Sequence, residues 1–278
     1  MSCQARSLAL ETSIWGTAPE EITQWVLVEY PHTWPAKFSD ISALSLPEGL
    51  REALQQVQKR EGWKILWIRR PGCQAQYVYW WDLNTQTCKI APQTGDWSGE
   101  WTEQSVWQDV HEAGVPAPTV LVCTHGSRDK CCGVLGGVVF ASMRKILPDA
   151  VWQVSHLGGH RFAPTALCFP FGWMLGRIEE ADCMDIALAV MSGSPNSIRS
   201  DIVRGDVRLT KRAQARDIWL REQCGTLQQV TGDSVMWRDA GNTVHHVQQT
   251  QRLLGELEVS CANRKTKPVS AWVFTPVL

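Results

Sequence analysis

The middle of the chain reads Cys123-Thr-His-Gly-Ser-Arg-Asp-Lys-Cys131-Cys132-Gly133 and, further on, Ser155-His156-Leu-Gly-Gly-His160-Arg161-Phe-Ala-Pro-Thr165. Each of these segments is rich in thiol or imidazole donors and follows a short apolar run that predicts a β-strand. Thiolates and imidazoles together suit zinc, or an iron–sulfur cluster in which two His replace two Cys. The two segments therefore predict a metal centre at the ends of two strands.

The spacing of these donors favours a cluster over a lone zinc ion. The cysteines of a zinc finger are two to four residues apart and its histidines lie on a helix, whereas eight residues separate Cys123 from Cys132. Two glycines lie between His156 and His160, and each Gly costs a helix interior about 0.8–1 kcal/mol relative to Ala. Both histidines are therefore predicted to lie in a loop, where the glycines let the backbone approach the metal closely.

A helix is predicted to begin just after Cys132, because apolar residues recur three or four positions apart from Leu135 to Ile146. A thiolate at a helix N-terminus has a lowered pKa and binds metal readily. Glycines early in this helix would keep its surface small, so that a cluster or a strand can approach. These glycines are Gly133, Gly136 and Gly137.

The two donor segments resemble those of the sucrase/ferredoxin-like family, whose members resemble thioredoxin-like [2Fe-2S] ferredoxins with His-x3-His in place of Cys-x3-Cys. The resemblance extends over most of the chain. Further motifs that fit the family are Gly16-Thr-Ala-Pro19, Trp25-Val-Leu-Val-Glu-Tyr-Pro31, Trp34-Pro35, Ile68-Arg-Arg-Pro71, Ser260-Cys261 and Lys267-Pro268-Val269.

This resemblance implies a [2Fe-2S] cluster bound by two Cys and two His. The implied ligands are Cys123, Cys132, His156 and His160, with Cys131 as the alternative to Cys132. Polar neighbours of these ligands are predicted to support and tune the centre by hydrogen bonding, since they lie too close to the ligands in sequence to bind the metal without strain. They are His125, Arg128, Asp129 and Arg161, the last of which could also attract an acidic redox partner.

The order of the predicted elements indicates an α/β fold. Residues 116–195 follow the βαβ-ββα order of a thioredoxin-like ferredoxin domain, which is embedded between two further α/β segments. Residues 1–115 open with strand, helix, strand and strand, which is compatible with a degenerate second copy that lacks the ligands. Residues 196–278 contain a helix and several strands, and we expect them to pack on the N-terminal region and to complete a sheet shared with it.

Composition and charge exclude several classes of function. A formal net charge of -1 and a pI near 6.7 give no electrostatic reason to expect nucleic acid as a partner. The uncharged stretch 162–176 is too short for a membrane span and contains two prolines. The N-terminus lacks a signal-peptide pattern, and ten cysteines without regular spacing fit a reducing compartment. We therefore expect a cytoplasmic protein that binds neither membrane nor nucleic acid.

The donor set predicts a soluble electron-transfer protein that works with a redox partner protein. Exchanging two thiolates for neutral imidazoles makes a [2Fe-2S] centre easier to reduce, and an imidazole can also couple proton transfer to electron transfer. An electron carrier or redox accessory is favoured over a stand-alone catalyst. Two alternatives stay open: a structural zinc module of an interaction protein, and a thiol-based redox enzyme that attacks through Cys123, Cys131 or Cys132.

Overall fold

Two β-sheets and five α-helices make up the computed structural model, which describes residues 3–10, 13–72, 76–103, 106–260 and 263–277. Cys261, part of one of the family-like motifs, lies outside these residues. The helices are α1 (Cys3–Leu10), α2 (Glu48–Val57), α3 (Lys130–Ile146), α4 (Cys183–Ser192) and α5 (Lys211–Glu222). The strands of the large sheet are β1 (Gln24–Glu29), β2 (Trp63–Arg69), β3 (Tyr77–Asp82), β4 (Thr87–Pro92), β5 (Gln108–Asp109), β6 (Val120–Cys123), β7 (Val151–Val154), β8 (Thr165–Cys168), β9 (Trp173–Gly176) and β10 (Val203–Asp206). The strands of the small sheet are β11 (Thr226–Thr231), β12 (Ser234–Arg238), β13 (Val244–Ser260) and β14 (Asn263–Pro276).

The large sheet has the strand order β10-β9-β8-β6-β7-β2-β1-β3-β4-β5 and consists of two halves with the same connectivity. In one half, β6 and β7 are parallel and joined by α3, and β8 and β9 continue antiparallel beside β6. In the other half, β1 and β2 are parallel and joined by α2, and β3 and β4 continue antiparallel beside β1. The predicted α/β class is therefore confirmed, and the βαβ-ββα order of residues 116–195 is present.

The two halves meet where β2 pairs antiparallel with β7, and we call this pairing the seam. Ile68 is paired with Val154, and Arg69 with Gln153. Because the pairing is antiparallel, the C-terminal ends of β2 and β7 lie at opposite ends of the sheet. The end of the sheet that carries the Cys and His loops is therefore next to the beginning of β2.

Strands β11 to β14 form a sheet of their own, so the expectation that the C-terminal strands complete a sheet shared with the N-terminal region is wrong for these four. Strands β13 and β14 pair with each other from Val247–Pro276 to Ser260–Asn263, and such long partners satisfy each other's backbone groups. Strand β10 alone of the strands described between residues 196 and 278 joins the large sheet, at its edge beside β9. The C-terminal segment still contacts the N-terminal one, since Gln214 donates to the carbonyl of Pro19 at 2.9 Å.

The buried strands explain where the candidate ligands lie. Strand β6, Val-Leu-Val-Cys, is apolar and buried along its whole length, as expected of a strand covered on both faces. Its residues alternate between two cores: Val120 and Val122 pack under α3, whereas Leu121 and Cys123 belong to a core that continues across the seam to Leu27. None of the helices that the structure describes is long and apolar enough to cross a membrane.

Candidate metal centre

The end of β6 and the first turn of α3 position the cysteines. Cys123 is the last residue of β6 and is fully buried. Helix α3 begins at Lys130, earlier than predicted, because Asp129 caps it by accepting a hydrogen bond from the backbone N–H of Cys131 at 3.1 Å. Cys131 and Cys132 therefore both lie in the first turn, where the helix dipole favours negative charge.

Two glycines bring α3 against the strand end. A Cβ atom on Gly136 would lie 2.0 Å from the carbonyl oxygen of Cys123, and one on Gly133 would lie 2.6 Å from the Cα of Gly126. The interpretation that glycines allow a close approach therefore holds at these two positions. A Cβ atom on Gly137 would meet none of the described atoms within 4 Å.

The second loop, after β7, carries the histidines. Gly158 and Gly159 have φ values of 87° and 72°, which residues with a side chain rarely adopt. The segment is therefore a loop rather than a helix, and His160 opens a short 3-10 turn. Arg204 of β10 holds this loop, since its guanidinium donates to the carbonyl of Gly158 at 3.0 Å.

Three of the four expected ligands converge. The Sγ atoms of Cys123 and Cys132 and a ring nitrogen of His156 all lie within 4.8 Å of one another. The Sγ atom of Cys132 is 3.7 Å from Nδ1 of His156. Cys131 is buried as well, but it does not belong to this group. The geometry therefore favours Cys132 over Cys131 as the partner of Cys123.

His160 lies beside this group. Its ring centroid is 6.4 Å from that of His156, and Nδ1 is 3.8 Å from Oδ2 of Asp129. Its Nε2 atom is buried and makes no hydrogen bond to any described residue. A buried polar atom without a partner is costly, and a carboxylate near the other ring nitrogen is typical of metal-binding histidines. Nε2 of His160 is therefore the atom suited to complete a set of four ligands.

The two convergent thiols influence each other's protonation. The hydrogen bond from Cys132 lowers the pKa of Cys123 well below its usual value, against the effect of burial, and a hydrogen bond from His156 lowers it further. The same bond to Cys123, together with burial, raises the pKa of Cys132. Cys123 is therefore the more easily deprotonated of the two thiols, and a bound cation would displace the protons that remain.

The sequence model of the family described as sucrase/ferredoxin-like matches residues 14–205, which include all four expected ligands. The chain belongs to the sucrase/ferredoxin-like family. The matched range covers most of the chain but ends before the motifs around Cys261 and Lys267, so these two motifs receive no support from it.

Two curated proteins are similar to part of this sucrase/ferredoxin-like chain. Both are named "Altered inheritance of mitochondria protein 32". The protein from Meyerozyma guilliermondii is 32% identical over 69 residues, which are 22% of this chain and 24% of the relative. The protein from Debaryomyces hansenii is 32% identical over 75 residues, which are 25% of this chain and 27% of the relative. Each alignment thus spans about a quarter of the relative's length, and no solved structure matches the chain.

In this sucrase/ferredoxin-like protein, His125 connects both ligand loops to the N-terminal half of the sheet. Its Nδ1 accepts a hydrogen bond from the backbone N–H of His156 at 3.1 Å, so its Nε2 carries the proton and donates to the carbonyl of Pro35 at 2.8 Å. Burial lowers the pKa of His125, which keeps the ring neutral. Its ring also packs edge-on against Trp34, with centroids 5.5 Å apart. His125 is thus placed to fix the position of the His156 backbone.

The two arginines expected to tune the centre lie farther out. Arg128 is exposed and lines an open cleft together with His156. The guanidinium of Arg161 lies 4.2 Å from the ring centroid of Phe162, in a second cleft that Lys267 also lines.

Sequence reasoning missed two supports of the site, Arg204 and Pro35. Pro35 belongs to the quoted Trp34-Pro35 motif, so the family resemblance contained a signal for it. Arg204 lies in the short strand β10, Val-Arg-Gly-Asp, and is 3% exposed. A buried arginine needs partners, but the sequence does not indicate that one of them is the His loop.

Proposed function

We propose that this sucrase/ferredoxin-like protein transfers electrons through a [2Fe-2S] cluster held by Cys123, Cys132, His156 and His160, in a thioredoxin-like half of the large sheet. The observation that carries the proposal is the convergence of Cys123, Cys132 and His156 within 4.8 Å of one another. The unpartnered Nε2 of His160 supplies the fourth donor. When bound, such a cluster accepts and releases single electrons.

The residues around the site suit electron transfer to a redox partner protein. Cys123, Cys132 and His160 are 0%, 1% and 7% exposed, so water has little access to their metal-binding atoms. The neutral imidazoles leave the oxidised site with less negative charge than four thiolates would, which raises its reduction potential. His125 and Asp129 hold the backbone or ring of the two histidines, as residues around a metal site commonly do.

Anaerobic purification followed by metal and sulfide analysis, visible absorption and EPR tests the proposal. We expect two iron and two sulfide ions per chain, a reddish-brown colour and an EPR signal that appears on reduction. Protein that is folded, colourless and free of sulfide would contradict it.

One observation favours a second candidate, a structural zinc ion. Three donor atoms within 4.8 Å of one another can also surround a single ion, and His160 lies outside that group. A zinc site would be colourless, would contain about one zinc ion per chain and no sulfide, and would not respond to reductant. The same measurements therefore separate the two candidates.

The thiol-enzyme alternative gains no support from the structure. Cys123, Cys131 and Cys132 are all at most 8% exposed. A nucleophilic thiol has to reach its substrate, and buried cysteines are usually inert.

We propose the cytosol as the location. The cysteines whose side chains the structure describes are free thiols, which fits a reducing compartment. Both curated relatives carry a name that mentions mitochondria, so fractionation of cells that produce the tagged protein should compare these two compartments. Recovery with mitochondria would contradict the cytosolic proposal.

A further inference from the structure

An open cleft of about 400 Å³ lies beside the candidate metal centre, and we call it the His156 cleft. The beginning of β2 with Trp67, the segment around Phe38, and the two ligand loops with Arg128 and His156 line it. It therefore lies at the seam, between the half of the sheet that carries the ligands and the half that does not.

His156 gives the metal centre its contact with this cleft. The other three candidate ligands are buried, whereas His156 is partly exposed and lines the cleft. Its ring nitrogen lies with the two Cys sulfur atoms inside the convergent group. The shortest covalent route from the centre to the surface therefore runs through the His156 ring.

The charged side chains that line the His156 cleft are all positive. Lys37, Lys64 and Arg128 line it with exposed side chains, and none of the described residues that line it is an Asp or a Glu. Two acids adjoin lining residues in sequence. Asp40 accepts hydrogen bonds from the backbone and hydroxyl of Ser42, which directs it toward the following 3-10 turn. Asp129 is buried and caps α3. Because the whole chain has a formal net charge of -1, the positive cleft is a local feature.

An aromatic pair, Phe38 and Trp67, lines the cleft. Phe38 stacks on Trp67 with centroids 4.8 Å apart and an interplanar angle of 18°. Phe38 also lies 5.8 Å from the His125 ring. Aromatic residues inside a polar, solvent-accessible rim are typical of protein interfaces.

We propose that the His156 cleft is the docking site of the redox partner, which places an acidic loop against Lys37, Lys64 and Arg128. This inference rests on the proposed electron-transfer function. A single electron passes between the metal centre and the partner through the His156 ring, so that one site is oxidised and the other reduced, and no bond forms or breaks. The cleft is open and its cations are exposed, which suits a protruding protein loop better than an enclosed small molecule.

Charged inorganic oxidants test the cleft as the point of electron exit. The reduced full-length protein is mixed in a stopped-flow instrument with ferricyanide, an anion, or with tris(phenanthroline)cobalt(III), a cation; each takes one electron. The variant Lys37→Glu with Lys64→Glu reverses two cleft charges and leaves the ligand loops intact. The control, Lys145→Glu with Arg252→Glu, makes the same change in net charge at exposed residues that do not line the cleft.

The cleft variant should react about tenfold more slowly with ferricyanide and faster with the cobalt complex at low ionic strength. The control should change both rates much less, and added salt should remove the difference between the variants. Equal rate changes in the two variants would overturn the proposal.

A binding measurement keeps the docking site testable if the metal centre proves not to be a cluster. A fluorescein-labelled peptide of alternating Glu and Gly, titrated with the full-length protein, should bind the control variant and lose most of its affinity for the cleft variant. Equal affinity for both would overturn the docking site. Loss of affinity in a protein that lacks iron would support the docking site while contradicting the proposed electron transfer.

Discussion

At the scale of the residue, the adjacent Cys131 and Cys132 differ in whether their sulfur atoms can approach Cys123. Neighbouring residues of a helix point about 100° apart, so Cys131 and Cys132 in the first turn of α3 cannot both face Cys123. Cys132 is the one that joins Cys123 and His156. The sequence alone left this choice open, because it depends on where α3 begins.

Alanine substitutions test the assignment of the thiolate ligands. Cys123→Ala and Cys132→Ala should each abolish cluster assembly, since each removes one of the converging donors. Cys131→Ala should leave a coloured protein with unchanged iron content. Visible absorption and iron analysis of the three purified variants decide it. A colourless Cys131 variant beside a coloured Cys132 variant would show that the assignment is wrong by one residue.

Exchange of both histidines tests the other half of the ligand set. His156→Cys combined with His160→Cys should keep a [2Fe-2S] centre, because thiolates bind iron at least as well as imidazole does. Two additional negative charges make reduction harder, so the potential should fall by roughly several hundred millivolts. Protein-film voltammetry measures it, with the single exchanges expected in between. An unchanged potential would show that these histidines do not bind the cluster.

At the scale of the element, the contact between α3 and the end of β6 depends on Gly136, which has no side chain to keep the two apart. Cys123 and Cys132 are held at their mutual distance by this contact. Any group that moves α3 outward would therefore separate the two sulfur atoms and destabilise the core they share.

Two neighbouring glycines of α3 provide a matched test of that contact. Gly136→Ala places a methyl group 2.0 Å from the carbonyl of Cys123 and should cost about 1–3 kcal/mol of unfolding free energy, as overpacking usually does. Gly137→Ala has open space and should stabilise the helix by up to about 1 kcal/mol. Denaturant unfolding measures both values, and metal content should fall only in the first variant. Equal stability of the two variants would refute the proposed contact.

Several elements could be predicted because their patterns are local. The apolar run Val151 to Val154 predicts a strand, and β7 occupies these residues. Gly193 predicts the end of a helix, and it is the C-cap of α4. Helix α3 begins at Lys130, earlier than its apolar pattern predicts, and Asp129, a good capping residue, is the local signal for that start. The Trp-rich composition of residues 86–106 indicates irregular structure, but β4 lies in this stretch, with Cys88 and Ile90 buried at alternate positions.

Other features depend on partners far away in the sequence. The sequence pattern predicts two short strands, Thr243 to Val247 and Glu256 to Ser260, whereas β13 runs through both as one strand. Its ladder to β14 shifts register between Leu253 and Gly255. The separate C-terminal sheet likewise follows from which strands pair, and a hydrophobic pattern does not specify pairing. The same holds for the site: both ligand loops were predicted, whereas the contacts of Arg204 and Pro35 with those loops were not.

At the scale of the whole molecule, the two halves of the large sheet have the same connectivity, so that equivalent positions can be compared. Cys123 ends β6 opposite Val154 of β7, and Glu29 ends β1 opposite Ile68 of β2. The N-terminal half thus has a buried carboxylate where the other half has a candidate ligand. Burial raises the pKa of Glu29 to about 7, although hydrogen bonds from the Tyr77 backbone and the Tyr79 hydroxyl favour its charged form.

The raised pKa of Glu29 predicts how stability depends on pH. The folded protein binds the proton of the Glu29 carboxyl group more tightly than the unfolded chain does. The stability that this group contributes is therefore complete below about pH 4.5 and is lost as the pH rises to about 7. The variant Glu29→Gln should therefore gain stability relative to the parent as the pH rises, by at most about 3 kcal/mol. Denaturant unfolding at pH 4.5 and pH 8 measures it. The same difference in unfolding free energy between variant and parent at pH 4.5 and at pH 8 would contradict the raised pKa of Glu29.

The seam between the halves also has a consequence for the order of folding. It joins residues far apart in sequence, such as Trp67 and Ser155, which are 88 positions apart, whereas each half is built from closer contacts. Long-range pairs close late, and the bond from His125 to Pro35 spans the same junction. We therefore expect the halves to form first and the His loop to reach its final position only when they dock, so that metal is acquired last. Pulse-labelling hydrogen exchange during refolding should accordingly protect the amides of Trp67 and Ser155, which both donate across the seam, later than those of β1 and β8. Simultaneous protection would argue against this order.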